Sequence, residues 1–286
     1  MRPNKGSAFI PILLFAFFIL SPSLQGADWD NLFKDLFGLK RGPRIEEKFH
    51  KLLPLRSGGS FSLSNINGTV SVSTWSREEV EIHAAKSTRY SREQLERVQI
   101  EIESSPDSVS VKTVYPKLRN IRVNVEYEVK VPAGVNLERV SSVNGNVDIN
   151  GPFSNVSAST TNGKVGLRKA SGKIHLSTTN GGIEAEEIRG ELEAKTVNGS
   201  IHLEINGLTD DMRVTTVNGS VSARFYEIED INANLSVKTV NGRITSDIPV
   251  TLKDFRMSRH RLEGQIGAGG PEIYIRTVNG SIRIEK

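Results

Sequence analysis

One seven-residue phrase recurs along this chain. It reads "SSVNGNV" at 141–147, "STTNGKV" at 159–165, "STTNGGI" at 177–183, "KTVNGSI" at 195–201, "TTVNGSV" at 215–221, "KTVNGRI" at 238–244 and "RTVNGSI" at 276–282. A catalytic motif is needed once, so a phrase used seven times is architecture. Its asparagines stand at 144, 162, 180, 198, 218, 241 and 279, with intervals of 18, 18, 18, 20, 23 and 38 residues. A fixed short period marks a repeat fold in which each unit buries its face against the next. The widening intervals mark loops inserted into later units. A further Asn-Gly, at 67–68 in "SNINGTV", places one more unit early in the chain.

Halfway between these phrases lies a second punctuation: Asn150-Gly151, Ser171-Gly172 and Arg189-Gly190. Each 18-residue unit therefore reads strand, turn, strand, turn. Ile174, Leu176 and Thr178 share one face of a strand, as do Leu192, Ala194 and Thr196, and Ile201, Leu203 and Ile205. Lys173, His175, Ser177, Glu193, Lys195, His202 and Glu204 occupy the other, so one face is expected buried and one wet.

Two architectures fit strands joined by Asn-Gly. In an antiparallel meander the pair forms a type I′ hairpin turn, which needs φ > 0 at both residues. In a parallel β-solenoid each coil lies about 4.8 Å above the last. The meander gives no reason for the threonine two positions before each asparagine. The solenoid does, because identical positions stack. Thr160, Thr178, Thr196, Thr216, Thr239 and Thr277 become one column, begun by Ser142, and Asn144, Asn162, Asn180, Asn198, Asn218, Asn241 and Asn279 become another. Each amide can donate to the next amide's oxygen, at a corner expected to be buried. The preferred fold class is thus all-β: a parallel, β-helix-like stack of coils about 18 residues long. Chain order puts Asn198 in the middle of the column and Asn279 near its end, and leaves the charged "SIRIEK" terminus as a blunted last edge.

The flanks read differently. Arg2 and Lys5, the apolar "AFIPILLFAFFIL" and the small and polar "SPSLQG" give residues 1–26 the order of a secretory signal peptide. The apolar run of thirteen is shorter than the roughly 20 residues of a membrane span. Export to the periplasm, cell surface or medium is the expectation. Residues 27–57 read as an amphipathic helix, with Trp29, Leu32, Phe33, Leu36 and Phe37 at helical spacing, followed by a linker or cap. That helix either covers the first coil or touches a membrane surface or partner. The β-solenoid is expected over 58–286, with regular repeats at 137–246, an insertion at 247–272 that folds over the side or end of the stack, and a final coil at 273–286. "SREQLERV" (91–98) breaks the alternation as a short helical turn with Ser91 at its N-cap. "QIEIESSPDSVSVKTVYP" (99–116) reads as strand, Pro-Asp turn, strand.

"FSLSNINGTVSVSTW", "YEVKVPAGVNL", the T-[TV]-N-G-x-[IV] array and "IYIRTVNGSIRIE" together resemble the bacterial putative-adhesin domain family of unknown function over roughly residues 58–286. The resemblance implies an exported or envelope-associated β-solenoid with surface contact as its role. It brings no catalytic residues with it.

Chemistry is sparse. The chain has no cysteine, so nucleophilic thiols and disulfides are excluded. The formal charge of +4 falls to +2 without Arg2 and Lys5, too weak and dispersed for nucleic acid. The acids that stand close in sequence are Glu184, Glu186 and Glu187, the pair Asp210-Asp211, and Asp230; each reads first as a solvated strand face or turn. His50, His83, His175, His202 and His260 show no metal-ligand spacing with one another or with a close acid pair, so no metal or cofactor is expected. Trp75 and Tyr226 read as packing aromatics that could also meet a sugar. The expectation is a non-enzymatic envelope protein that binds an envelope glycan or protein, or itself. The alternatives are a polysaccharide-active enzyme with its site near 225–236 or 247–272, and a structural protein assembling end to end.

Overall fold

The computed structural model describes residues 42–117, 120–226 and 232–286, with backbone alone for 253–257, and the fold is that of the unit Pro43–Lys286. The expected signal peptide and the Trp29–Phe37 helix lie outside the described residues. The described residues are all-β, in a single sheet system of 21 strands.

The regular repeats set the pattern. Strand β10 (Asn155–Asn162) runs parallel to the second half of β11 (Val165–Asn180), with Thr160 opposite Thr178 and Asn162 opposite Asn180. The first half of β11 pairs in the same sense with β12 (Ile183–Lys195), Val165 opposite Ile183. Position n therefore lies on position n+18. The expected face alternation is present: Ile174, Leu176, Leu192, Ala194, Ile201, Leu203 and Ile205 are all buried between the two sides of the coil. Burying one such aliphatic side chain contributes about 1.5–3 kcal/mol at most, before conformational entropy is set against it.

The two corners of a coil differ from each other. Among the described residues, non-glycine φ above zero occurs at Asn120, Lys169 and Glu187, none of them in an Asn-Gly phrase. The Asn-Gly corner is thus not a type I′ turn. The second punctuation is not a turn between separate strands either. Strands β11 and β12 run through it, bending where Lys169 and Glu187 adopt φ of 62° and 56° and Gly172 and Gly190 adopt 77° and 127°.

Toward the chain's start, β8 (Asn136–Asn144) and β9 (Val147–Phe153) carry on them β2 (Ser60–Ser64) and β3 (Val70–Trp75), parallel. The next layer out is β6 (Ser108–Val114) with β7 (Asn124–Pro132), also parallel. Beyond it the direction reverses. Strand β5 (Gln99–Ser105) is antiparallel to β6, β4 (Glu79–Thr88) is antiparallel to β7, and β1 (Ile45–Pro54) is antiparallel to β4. The expected helical turn is present as α1 (Arg92–Arg97), with Ser91 at the N-cap position but no capping bond from its side chain. Residues 45–54, expected within a helix-and-linker segment, are instead a strand whose Ile45, Glu47, Phe49, Lys51 and Leu53 alternate with Glu46, Lys48, His50 and Leu52.

At the other end β13 (Ile201–Gly207), β14 (Met212–Thr215) and β15 (Val221–Phe225) continue the stack. The coil laid on β14 and β15 is not the next in sequence. It is the C-terminal one, β20 (Glu272–Arg276) and β21 (Ile282–Glu285), and on it lie β16 (Ala233–Lys238) and β17 (Ile244–Ser246). "SIRIEK" is therefore no exposed edge, because β21 is paired on both sides. The edge of β16 is covered by the 247–272 insertion: β19 (Arg261–Ile266) pairs antiparallel with β16, and β18 (Thr251–Ser258) with β19.

Candidate functional site

Each Asn-Gly corner divides the work among three residues. The asparagine side chains form one unbroken ladder. Asn144 Nδ2 donates to Asn67 Oδ1, Asn162 to Asn144, Asn180 to Asn162, Asn198 to Asn180, Asn218 to Asn198, Asn279 to Asn218 and Asn241 to Asn279, all at 2.8–2.9 Å. The ladder contains every asparagine of the expected column, but the order departs from expectation. Asn279 is an interior rung and Asn241 is the last. The corner was expected to be buried, and all seven asparagines from Asn144 onward are exposed. Each interior amide spends one donor and one acceptor on its neighbours and keeps another of each for solvent or a ligand.

The threonine column is buried and does not bond to itself. Thr160, Thr178, Thr196, Thr216, Thr277 and Thr239 donate to the carbonyl oxygens of Gly145, Gly163, Gly181, Gly199, Gly219 and Gly280 at 2.8–3.0 Å. Ser142 does the same to Gly68 at 2.9 Å. The glycines follow from close approach rather than from φ. A Cβ on Gly145, Gly163, Gly181, Gly199, Gly219, Gly280 or Gly242 would meet a glycine carbonyl oxygen of the adjoining coil at 1.8–2.2 Å.

Immediately before each asparagine stands a β-branched residue, half-buried at Ile66 and Val278 and exposed at the other six. Val143, Thr161, Thr179, Val197, Val217 and Val240 are all exposed, Val240 to 54%. This exposed row beside the amide ladder is a feature that the sequence reading did not single out. The signal was the residue between the threonine and the asparagine of each phrase, which has no place in the core.

The three glutamates singled out from the sequence are engaged with cations. Glu184 is ion-paired with Lys164, Glu186 lies 3.6 Å from Arg168 Nε, and Glu187 lies 2.9 Å from it. Asp211 Oδ1 accepts the Glu272 N–H at 2.7 Å, and Asp210 Oδ1 accepts that of Asp211 at 2.8 Å. Asp230 lies outside the described residues. Trp75 donates its indole N–H to the Glu79 carbonyl at 2.7 Å and carries Arg77 on its ring face, while Tyr226 is exposed. His175 Nδ1 sits 3.0 Å from Glu193.

The expectation for histidine needs correction. His50 and His83, 33 residues apart, are direct cross-strand partners on β1 and β4. Their rings stack with centroids 4.3 Å apart and planes inclined by 18°. Both Nε2 atoms face Glu81 Oε1, at 3.4 Å from His50 and 3.3 Å from His83, while Lys130 holds Glu81 Oε2 at 2.9 Å. Lys130 is the main cause that draws the Glu81 carboxyl down to about 2, with the two histidines adding to it against partial desolvation. Glu81-x-His83 was legible as two residues on one strand face. His50 was not, because its segment had been read as a helix and linker.

The profile of the Toastrack DUF4097 family matches residues 154–285, which is β10 to the end of β21. No curated protein gives a significant match to the chain. Similar solved structures include a putative cell adhesion protein from Clostridium sporogenes, 12% identical, covering 84% of this chain and 99% of that one at a TM-score of 0.40. A putative adhesin from Bacteroides fragilis is 10% identical, with 84% and 96% covered and a TM-score of 0.30. A putative lipid binding protein from Parabacteroides distasonis is 11% identical, with 86% and 98% covered and a TM-score of 0.38. From the second regular coil to its last strand, this chain is similar to the Toastrack DUF4097 family.

Proposed function

We propose that this chain is an exported, non-enzymatic β-solenoid of the cell envelope that binds a repeating envelope glycan along its Asn-Gly corner. The observation that carries the reading is the double row at that corner. One row offers amides with a spare donor and acceptor, the other exposed Val and Thr methyl groups, and both repeat at the strand spacing of about 4.8 Å. A polymer whose hydroxyls and apolar ring faces also repeat fits such a strip through many weak contacts. Multivalent contact of this kind gains affinity without any single deep pocket. Glu184, Glu186 and Glu187, close-spaced acids open to the polysaccharide-active alternative, are ion-paired within the strand faces.

The test is co-sedimentation of the purified chain with insoluble cell-wall glycan, beside a Val197→Asp/Val217→Asp double variant. Retention of the parent chain with at least tenfold weaker retention of the variant is expected. Equal retention of both, or none of either, overturns the assignment to this corner.

A further inference from the structure

We propose that His50, Glu81 and His83 form a binding site for a divalent transition-metal ion of the zinc type. This inference does not rest on the glycan reading and concerns a different part of the fold, the antiparallel layers that close the N-terminal end of the stack.

The argument begins with register. On antiparallel strands, directly opposed residues point to the same face, and residues two apart on one strand do so as well. The pairing of His50 with His83, and the i, i+2 relation of Glu81 to His83, put all three side chains on one face of β1 and β4. Their ligand atoms all lie within 4.8 Å of one another. A tetrahedral zinc ion with bonds of about 2.0–2.1 Å to nitrogen and oxygen has ligand–ligand edges of about 3.3 Å. The two histidine–carboxylate distances, 3.4 and 3.3 Å, match those edges. They are long for the direct alternative, since a charge-assisted N–H···O bond draws its atoms to about 2.7–2.9 Å. The Lys130–Glu81 contact on the other carboxylate oxygen, at 2.9 Å, has that shorter length.

The surroundings suit the same chemistry. Lys130 occupies Oε2 alone, so it orients the carboxylate and leaves Oε1 turned toward the imidazoles, as an outer partner does for a metal ligand. Glu81 is largely covered, whereas the His50 and His83 side chains are about half exposed at 50% and 48%. An ion therefore has a route in from solvent, and a fourth position remains for water. Two imidazoles and one carboxylate favour zinc, copper or nickel over magnesium or calcium, which prefer oxygen alone. Bound there, the ion would staple β1, the outermost strand of this end, to β4.

The test uses the full, tag-free chain, stripped with chelator and titrated with Co2+ followed spectroscopically, with Zn2+ as competitor and Mg2+ as control. One saturable equivalent of Co2+ is expected, with the intense visible absorption of a tetrahedral site, displaced by Zn2+ and unaffected by Mg2+. His50→Ala, His83→Ala and Glu81→Gln should each weaken binding at least tenfold. His175→Ala, which removes a separate His–Glu pair, should leave it unchanged. Circular dichroism checks that each variant keeps its strands; His50 lies on an outer strand with its side chain half exposed, so its variant is the one that must remain folded. Absence of saturable uptake overturns the proposal. So does uptake that survives the His50→Ala/His83→Ala double variant, because the ion is then held elsewhere.

Discussion

The regular middle of the stack and its two ends solve the same problem differently. From β8 to β15 the order of coils in space is the order in sequence, each laid parallel on the last. At the ends that order breaks. The first coil, β2 and β3, lies inside the later β6 and β7, and the last coil, β20 and β21, lies inside the earlier β16 and β17. Outside both swaps, the strands turn antiparallel: β5, β4 and β1 at one end, β19 and β18 at the other. A parallel stack can be extended by any strand that arrives in register, and an unprotected edge recruits other chains. The swaps place both of these coils between two paired neighbours, and antiparallel strands cover β6, β7 and β16 beyond them.

The sharpest way to break this comparison is to remove the last coil. A chain ending at Gly270 loses β20 and β21, and with them the layer between β14–β15 and β16–β17. Residues 212–225 and 233–246 should then lose protection from hydrogen exchange together, while 155–195 keep theirs. Had coils followed chain order to the end, this truncation would fray only the tip. Next in size is Gly181→Ala in the middle. Its Cβ would sit 1.8 Å from the Gly163 carbonyl oxygen, a backbone atom with no room to move, so a loss of about 3 kcal/mol or more is expected in urea unfolding. Gly58→Ala near the start has φ of 79° but open space around it, and should cost about 1–2 kcal/mol. Smallest are the ladder variants. Asn198→Ala and Asn279→Ala each break two amide bonds, and Asn241→Ala breaks one. At about 1 kcal/mol or less per exposed bond, the first two should lower the urea midpoint equally and the third by about half as much. A clearly smaller effect at 279 than at 198 would return Asn279 to the end of the column.

The middle was legible in the sequence because its information is local and periodic. Spacing of 18 residues, alternation of Ile174 and Leu176 with His175, and the Thr-x-Asn-Gly phrase each state a requirement that one coil imposes on the next. The stacking order at the ends was not legible, because the phrase at 276–282 is nearly the same as those at 195–201 and 238–244, and equivalent surfaces do not specify which neighbour they meet. The one hint was the interval of 38 residues before Asn279, long enough to hold a hairpin and a return. The burial of the corner was misjudged for a related reason. A side chain in a periodic position is constrained by its copies, and mutual hydrogen bonding satisfies that constraint as well in water as in the core. Strand β1 was obscured by the helical spacing upstream of it, and with it went the meeting of His50 and His83, which depends on a partner 33 residues away.

The interleaved C-terminal end carries a consequence for how the protein is made. Strands β16 and β17 and the hairpin of β18 and β19 emerge from the ribosome before the coil that must separate them from β15. If they dock early onto β15, the slot is filled by the wrong layer and has to be vacated. Completion of this end therefore waits on residues 272–285, and a prematurely released chain displays the open flanks of β14 and β15 to whatever surveys nascent proteins.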